Sequence, residues 1–216
     1  MSATVDPSNP YYDQLSNLLT AQKTAAQNAF RRKGERPKNL PPRTQCVEEF
    51  RMAALSNQMG NMQAGQKMMM TVIGNPYHPS VASFKDLKKT MLRDLTLETN
   101  HRGSYILLRF ICSPMRVIAV MNVAKDEAGT VIPFALYLQD PESIRPAESI
   151  LKEKSVIIIK EPYFKVGTNG QYAVRVDQPT DIIWLSEDDP RIPTKWRAPG
   201  ADVPETGETG RRKEMI

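Results

Sequence analysis

Two cysteines, two histidines and no long apolar run leave several classes of protein closed to this chain. Cys46 and Cys112 lie in different segments and are too few for a disulfide framework, so a reducing compartment is expected. With only His78 and His101 beside them, a four-ligand zinc site would need all four residues to converge, and their spacings match no ligand pairing. The longest apolar runs, Val156 to Ile159 and Met68 to Ile73, fall far short of the roughly 20 residues a membrane helix needs. Met1–Pro7 has neither the basic start nor the apolar stretch of a secretory leader, and an intracellular protein, cytoplasmic or nuclear, is expected. A phosphate-cradling glycine loop, a G-x-S-x-G elbow and an H-E-x-x-H helix are also missing. On these absences the chain is expected to be no enzyme, to bind no metal and to need no cofactor.

What is present is a set of short apolar runs in a fixed order. Tyr105–Ile111, Arg116–Val123 and Val131–Leu138 read as three strands, Pro146–Glu153 as a helix, and Ser155–Lys160, Tyr163–Val166 and Gln171–Val176 as further strands. Asp181–Leu185 is a last apolar run, expected to close the structure. Three strands, a helix, then more strands is the order of an OB-like small β-barrel, so the expected class is mainly β with a helical N-terminal extension. Residues 1–75 are assigned to a helical and proline-rich extension, 76–190 to the barrel, and 191–216 to a flexible tail. Within the extension, residues 11–33 read as a helix with Leu15, Leu18, Leu19, Ala26 and Phe30 on one stripe. A second helix is expected from Gln45 to Met59, with Val47, Phe50, Ala54 and Leu55 on its stripe. The methionines at 59–70 read as helix filler. Ser83 is a candidate cap for a short helix over Lys85–Lys89, and Leu92, Leu95 and Leu97 suggest an extra strand.

The net charge of +5 has one address. Residues 31–43 hold six basic groups and one acid, which is +5, and the rest of the chain sums to zero. Within 102–185 ten Lys and Arg face nine Asp and Glu, so the barrel is nearly neutral. The basic stretch reads first as a solvated linker, with a nucleic-acid or nuclear-import patch as the alternative.

Alternation assigns strand faces. Ile106, Leu108 and Phe110 should point inward, as should Phe134, Leu136 and Leu138, and Tyr172, Val174 and Val176. That leaves Arg109, Arg116, Tyr137, Lys160, Tyr163, Lys165 and Arg175 as an outer set of cations and rings, the composition a single-stranded nucleic-acid groove needs. The competing reading is of ordinary solvated charges paired with Glu161, Asp177 and Asp181. Counterion release favours a positive excess that the barrel lacks.

Asp94–Tyr105, Ile150–Val166, Arg175–Asp177, Asp181–Leu185 and Ile192–Arg197 resemble the N-terminal region of fungal proteins that join TPR repeats to a SET domain. The likeness spans roughly residues 80–197. In that family methyl transfer from S-adenosylmethionine would reside in the SET domain, which follows the repeats. Neither the 34-residue repeat period nor the Asn-His-Ser cofactor element is present here, so the resemblance carries over no catalytic residue. Three functions follow as expectations. The first is a non-catalytic interaction module that binds a protein partner or adjoining domains. The alternative is a single-stranded nucleic-acid-binding OB domain, and the second alternative is part of a SET-type lysine methyltransferase whose catalytic domain lies elsewhere. A protein partner ranks first, nucleic acid is the other partner considered, and neither a membrane nor a small-molecule cofactor is expected.

Overall fold

The computed structural model describes residues 10–63, 77–167 and 171–197, and the chain is mainly β, with one mixed ten-stranded sheet and few helices. Two long helices come first, α1 (Pro10–Arg31) and α2 (Arg43–Gln63). Strands β1 (Lys88–Lys89), β2 (Thr99–Asn100), β3 (Ser104–Phe110), β4 (Met115–Arg116), β5 (Val120–Lys125) and β6 (Val131–Leu136) precede the short helix α3 (Ala147–Ile150). Then come β7 (Val156–Lys160), β8 (Tyr163–Val166), β9 (Tyr172–Val176), β10 (Ile182–Leu185) and a terminal turn of helix, α4 (Thr194–Arg197).

The sheet path runs β10-β7-β3-β5-β6-β9-β8-β2, with β6 and β9 parallel and their neighbours along the path antiparallel. β7 and β8 lie on opposite flanks of that path, yet only Glu161 and Pro162 separate them in the chain. Glu161 takes the left-handed backbone at φ 50°, and its carboxylate accepts from the Gly103 N–H at 2.9 Å and from Arg102 at 2.5 Å. The chain thus passes from one flank of the path to the other in two residues, and both flanks contribute to one interior. Phe110, Phe134 and Phe164 fill it, with Ile106, Leu108, Leu136, Ile157, Val174 and Val176, all almost fully buried. Leu92, Leu95 and Leu97 enter the same core from a 3-10 turn and the chain after it, rather than from a strand.

The outer face of the sheet is covered twice. Over β5 and β6, α2 lays Cys46 and Phe50 on Val123 and Val131. Over β3 and β7, Ile192 and Trp196 cover Leu107, Val156 and Ile158. This second cover explains why β7 reads as a continuous apolar run: a strand buried on both faces has no solvent side to mark with polar residues.

Several expectations are corrected by these contacts. Residues 31–43 are not a free solvated linker, because the Gly34 N–H donates to the Leu97 carbonyl at 2.9 Å and Leu97 N–H returns to Glu35 at 2.8 Å. Leu40 packs against the main core. Ser83 makes no side-chain cap, and Lys88 and Lys89 pair parallel with β3 instead of ending a helix. Leu138 is 66% exposed, since positive φ (54°) just beyond β6 turns it out of the alternation. Phe30 is 65% exposed while its neighbour Ala29 is buried, a one-residue rotation of the expected stripe. Among the described residues β10 pairs with β7 alone, at one end of the sheet path. The supposed tail belongs to the fold as far as Trp196, which is buried. The methionines at 68–70 and the boundary at 75/76 lie outside the described residues.

His101 illustrates how a polar group is made structural here. Its Nδ1–H donates to the Pro162 carbonyl at 2.9 Å, and Nε2 accepts from the Thr96 N–H at 2.8 Å, so both nitrogens are used by the neutral ring. Burial lowers its pKa from the usual 6.5, against the raising effect of its backbone bonds. A folded-state pKa below the unfolded one gives stability that is complete above pH 6.5 and is lost as pH falls below it. Urea unfolding at pH 7.5 and 5.5 should therefore show a drop in wild type that is reduced in His101→Gln. Equal pH dependence in the two proteins would refute this role.

Candidate functional site

The seven outer residues divide once the chain is folded. Arg109 lies buried beneath α4, opposite Lys125 on β5, and donates to the Trp196 carbonyl. Arg116 on β4 donates to Glu142 at 2.6 Å and to the Arg145 carbonyl at 2.8 Å, tying down the loop before α3. Lys160, at the corner of β7, donates to the Ser80 carbonyl at 3.4 Å. These three are apart from one another.

The other four come together. Tyr163 and Lys165 on β8, Arg175 on β9 and Tyr137 at the end of β6 share the outer face of three adjacent strands, with Tyr163 directly opposite Arg175. The Arg175 guanidinium lies 4.5 Å from the Tyr137 ring centre, a cation–π contact worth about 0.5–2 kcal/mol. Its Nε donates to Asp177 at 2.6 Å, while Nη2 is buried with no hydrogen-bond partner. Burial, and then the nearby Arg175 charge, lower the pKa of Lys165. Tyr163 donates to Glu98 at 2.6 Å, and burial together with that bond pushes its pKa up.

Tyr77 completes the cluster and is invisible in the sequence, where it sits in a turn-rich stretch with no periodicity. Its ring stacks on Tyr163 with centres 5.5 Å apart, and its hydroxyl accepts from the Asp177 N–H at 3.1 Å. Burial pushes its pKa up to about 12. A side chain of the protein thus already occupies one stacking position on Tyr163.

The same outer face continues to a cavity of about 540 Å³ between α2 and the sheet. Met115, Met121 and Pro133 line the sheet side, and Cys46, Phe50 and Ala53 the helix side. Its rim carries Asn39 from the basic arm, Gln45 and Glu49 from α2, Gln171 from the β8–β9 connection and Tyr172 from the start of β9. Pro133 and Tyr137 are four residues apart on the outer side of β6, so cavity and cluster are separated by about 14 Å of strand. The floor between them is small: Ala135 pairs with Arg175, and Ala173 with Lys165. The basic arm crosses beside the cavity, where the Tyr172 hydroxyl donates to the Lys38 carbonyl at 3.1 Å and Arg32 donates to that hydroxyl at 3.2 Å. Alternation assigns Tyr172 to the interior, and as the first residue of β9 it packs at the edge of the main core, half-buried and stacked on Phe164 at 6.0 Å, with its hydroxyl reaching the rim.

Cys46 and Cys112 both lie in the buried layer under α2, and burial pushes the Cys46 thiol up to about 12. Such thiols are poor nucleophiles. Among the described residues no three His, Cys, Asp or Glu side chains are grouped to hold a metal ion, and no helix is long and apolar enough to cross a membrane.

No protein-family model matches the chain. It is 38% identical over 193 residues to a protein of Gibberella zeae named a methyltransferase, a match covering 89% of this chain and 24% of that protein. The chain thus spans about a quarter of that relative's length. Among solved structures it is similar to Schizosaccharomyces pombe Pot1pC bound to single-stranded DNA (CGGTTACGGT), with 11% identity and a TM-score of 0.36 over 48% of this chain and 90% of that one. A structure of fission yeast Pot1 with single-stranded DNA gives 11% identity and a TM-score of 0.37, covering 66% and 47%.

The methyltransferase relative overturns the expectation that this chain is no enzyme. That expectation rested on missing hydrolase, phosphate-loop and zinc motifs, which methyl transfer by direct displacement does not need, and on the missing repeat period and Asn-His-Ser cofactor element of the SET family.

Proposed function

We propose that this chain is the single-stranded nucleic-acid-binding, OB-type part of a longer methyltransferase of the kind that joins TPR repeats to a SET domain. The strand order supports the OB reading: three antiparallel strands, a short helix, then a hairpin whose last strand runs parallel to the third. The two-residue passage from β7 to β8 supports barrel closure. An OB fold binds oligonucleotides on the face of its second and third strands and on the loops after its first and fourth. Here those are β5, β6, the loop holding Met115 and the connection holding Gln171. The observation that carries the reading is that the cavity lies at this junction, with the basic arm on one side and the Tyr137–Arg175–Tyr163–Lys165 cluster on the other. Phosphates would meet the arm and bases the rings. The methyltransferase relative supports the larger assignment, in which this region brings the enzyme to its nucleic-acid-associated substrate.

The test is fluorescence anisotropy of the full chain with labelled single-stranded DNA and RNA across a salt series. Tyr137→Ala should weaken binding by about 1–3 kcal/mol, the worth of one stacked base. Replacing both Arg36 and Lys38 by Ala should flatten the plot of log affinity against log salt by about 0.7 for each phosphate no longer neutralised. Absence of binding at low salt would end the reading. So would a Tyr137→Ala protein that binds as well as wild type.

A second reading, contact with a protein, rests on one observation. Met52, Leu55 and Met59 are 65%, 50% and 55% exposed at helical spacing on the side of α2 away from the sheet. Unchanged nucleic-acid affinity in Leu55→Glu would keep the two surfaces distinct.

A further inference from the structure

We infer that the cavity under α2 is a base-selective subsite that takes one unstacked guanine of a single strand, with the Glu49 carboxylate as its reader. The inference rests on the nucleic-acid reading above and assigns that reading a specificity. It begins from how Glu49 is held. Gln45, one helical turn earlier, donates to one carboxylate oxygen at 2.8 Å, and Gln171 donates to the other at 2.6 Å. The two amides bond the carboxylate at the solvent-exposed rim of the cavity, one to each oxygen, and each oxygen keeps a further lone pair. The result is a pair of adjacent acceptors.

The complement of two adjacent acceptors is an edge with two adjacent N–H donors. Guanine offers one in N1–H and the N2 amino group. Adenine and cytosine each set an acceptor beside their amino group, and thymine sets its single N–H between two carbonyls. An arginine side chain offers the same fork. Charge decides between the two sources. Asn39 and Pro41 on the cavity wall belong to the arm that holds six basic groups and one acid, a field that attracts a phosphate backbone and repels an arginine peptide. The walls suit a planar ring: Phe50 and Ala53 face Met121 and Pro133 across the gap. A cavity of about 540 Å³ is within the range of about 300–1,000 Å³ usual for small-ligand sites.

The experiment measures anisotropy of the full chain with oligothymidylates of about 15 nucleotides carrying one central variable base. The variable bases are thymine, guanine, adenine and hypoxanthine. Hypoxanthine keeps the N1–H of guanine and lacks its amino group. The guanine oligonucleotide should bind about tenfold more tightly than the hypoxanthine one, the cost of one lost hydrogen bond to a charged acceptor. Glu49→Gln should erase the difference between the guanine and hypoxanthine strands, each compared with the all-thymine strand in the same protein. Guanine and hypoxanthine strands bound within twofold of each other by wild type would overturn the inference and leave the nucleic-acid reading standing. Failure of every oligonucleotide to bind would overturn both. Tighter binding of an arginine–glycine peptide than of any oligonucleotide would overturn it in favour of a peptide ligand. The base series is read in the unmodified protein, so it does not depend on a variant folding.

Discussion

Phe110→Ala is expected to destabilise the protein by about 3–5 kcal/mol, a large share of the 5–15 kcal/mol that typically separates folded from unfolded chains. Phe110 is fully buried at the end of β3, and its ring meets Phe134 with centres 5.1 Å apart at 58°. Its backbone is tied on both sides: its N–H donates to the Ser155 carbonyl at 3.0 Å, its carbonyl accepts from the Lys154 N–H at 2.9 Å, and it pairs with Ala124. Truncation removes the transfer free energy of the ring and leaves a cavity that strands on three sides hold open. Phe50→Ala should cost less, because Phe50 anchors one helix on the outer face and that packing can partly relax. Urea unfolding of both variants, with unchanged slope, would measure the difference. A Phe110→Ala loss smaller than the Phe50→Ala loss would mean that α2, and not the sheet interior, carries the larger part of the stability.

The inner core was legible in the sequence because it obeys a local rule. Ile106, Leu108 and Phe110 alternate with outward neighbours, and the strands of the order three, helix, further strands lie near their expected bounds except the second, where the run Arg116–Val123 divides into β4 and β5, which pair with each other. What failed depends on contacts distant in the chain. Arg109 alternates outward as expected, yet it is buried because Trp196, 87 residues later, returns to cover it. The basic arm read as linker because nothing local shows that Gly34 and Glu35 bond to Leu97. The candidate site divides the same way. Tyr137, Tyr163, Lys165 and Arg175 could be gathered by alternation, since each is an outward residue of a strand in one sheet. The cavity could not, because Glu49 and Gln171 are 122 residues apart and only the packing of α2 across β5 and β6 joins them. Absent hydrolase, phosphate-loop and zinc motifs bear only on the chemistries that use them.

Asp177→Ala is expected to cost about 3–5 kcal/mol, and adding Arg175→Met to Asp177→Leu to recover most of the loss. Asp177 is 3% exposed and Arg175 7% exposed, so their 2.6 Å ion pair is shielded from water. Removing the acid leaves a buried guanidinium with only the Tyr137 ring beneath it and an Nη2 that already has no hydrogen-bond partner. Replacing both charges by apolar side chains of similar size removes the desolvation cost together with the attraction, which is why such exchanges are often neutral or stabilising. The pair is thus an inefficient way to hold β9 if stability were its whole purpose. The position of Arg175 supplies another purpose, since it lies between Tyr137 and Lys165 on the face assigned to the strand. The double variant separates the two. Thermal unfolding should place it within about 1 kcal/mol of wild type, while its affinity for single-stranded DNA should fall because the Tyr137 ring loses the guanidinium that orders it. A stable double variant that binds as well as wild type would make Arg175 and Asp177 a structural pair and move the binding face away from β9.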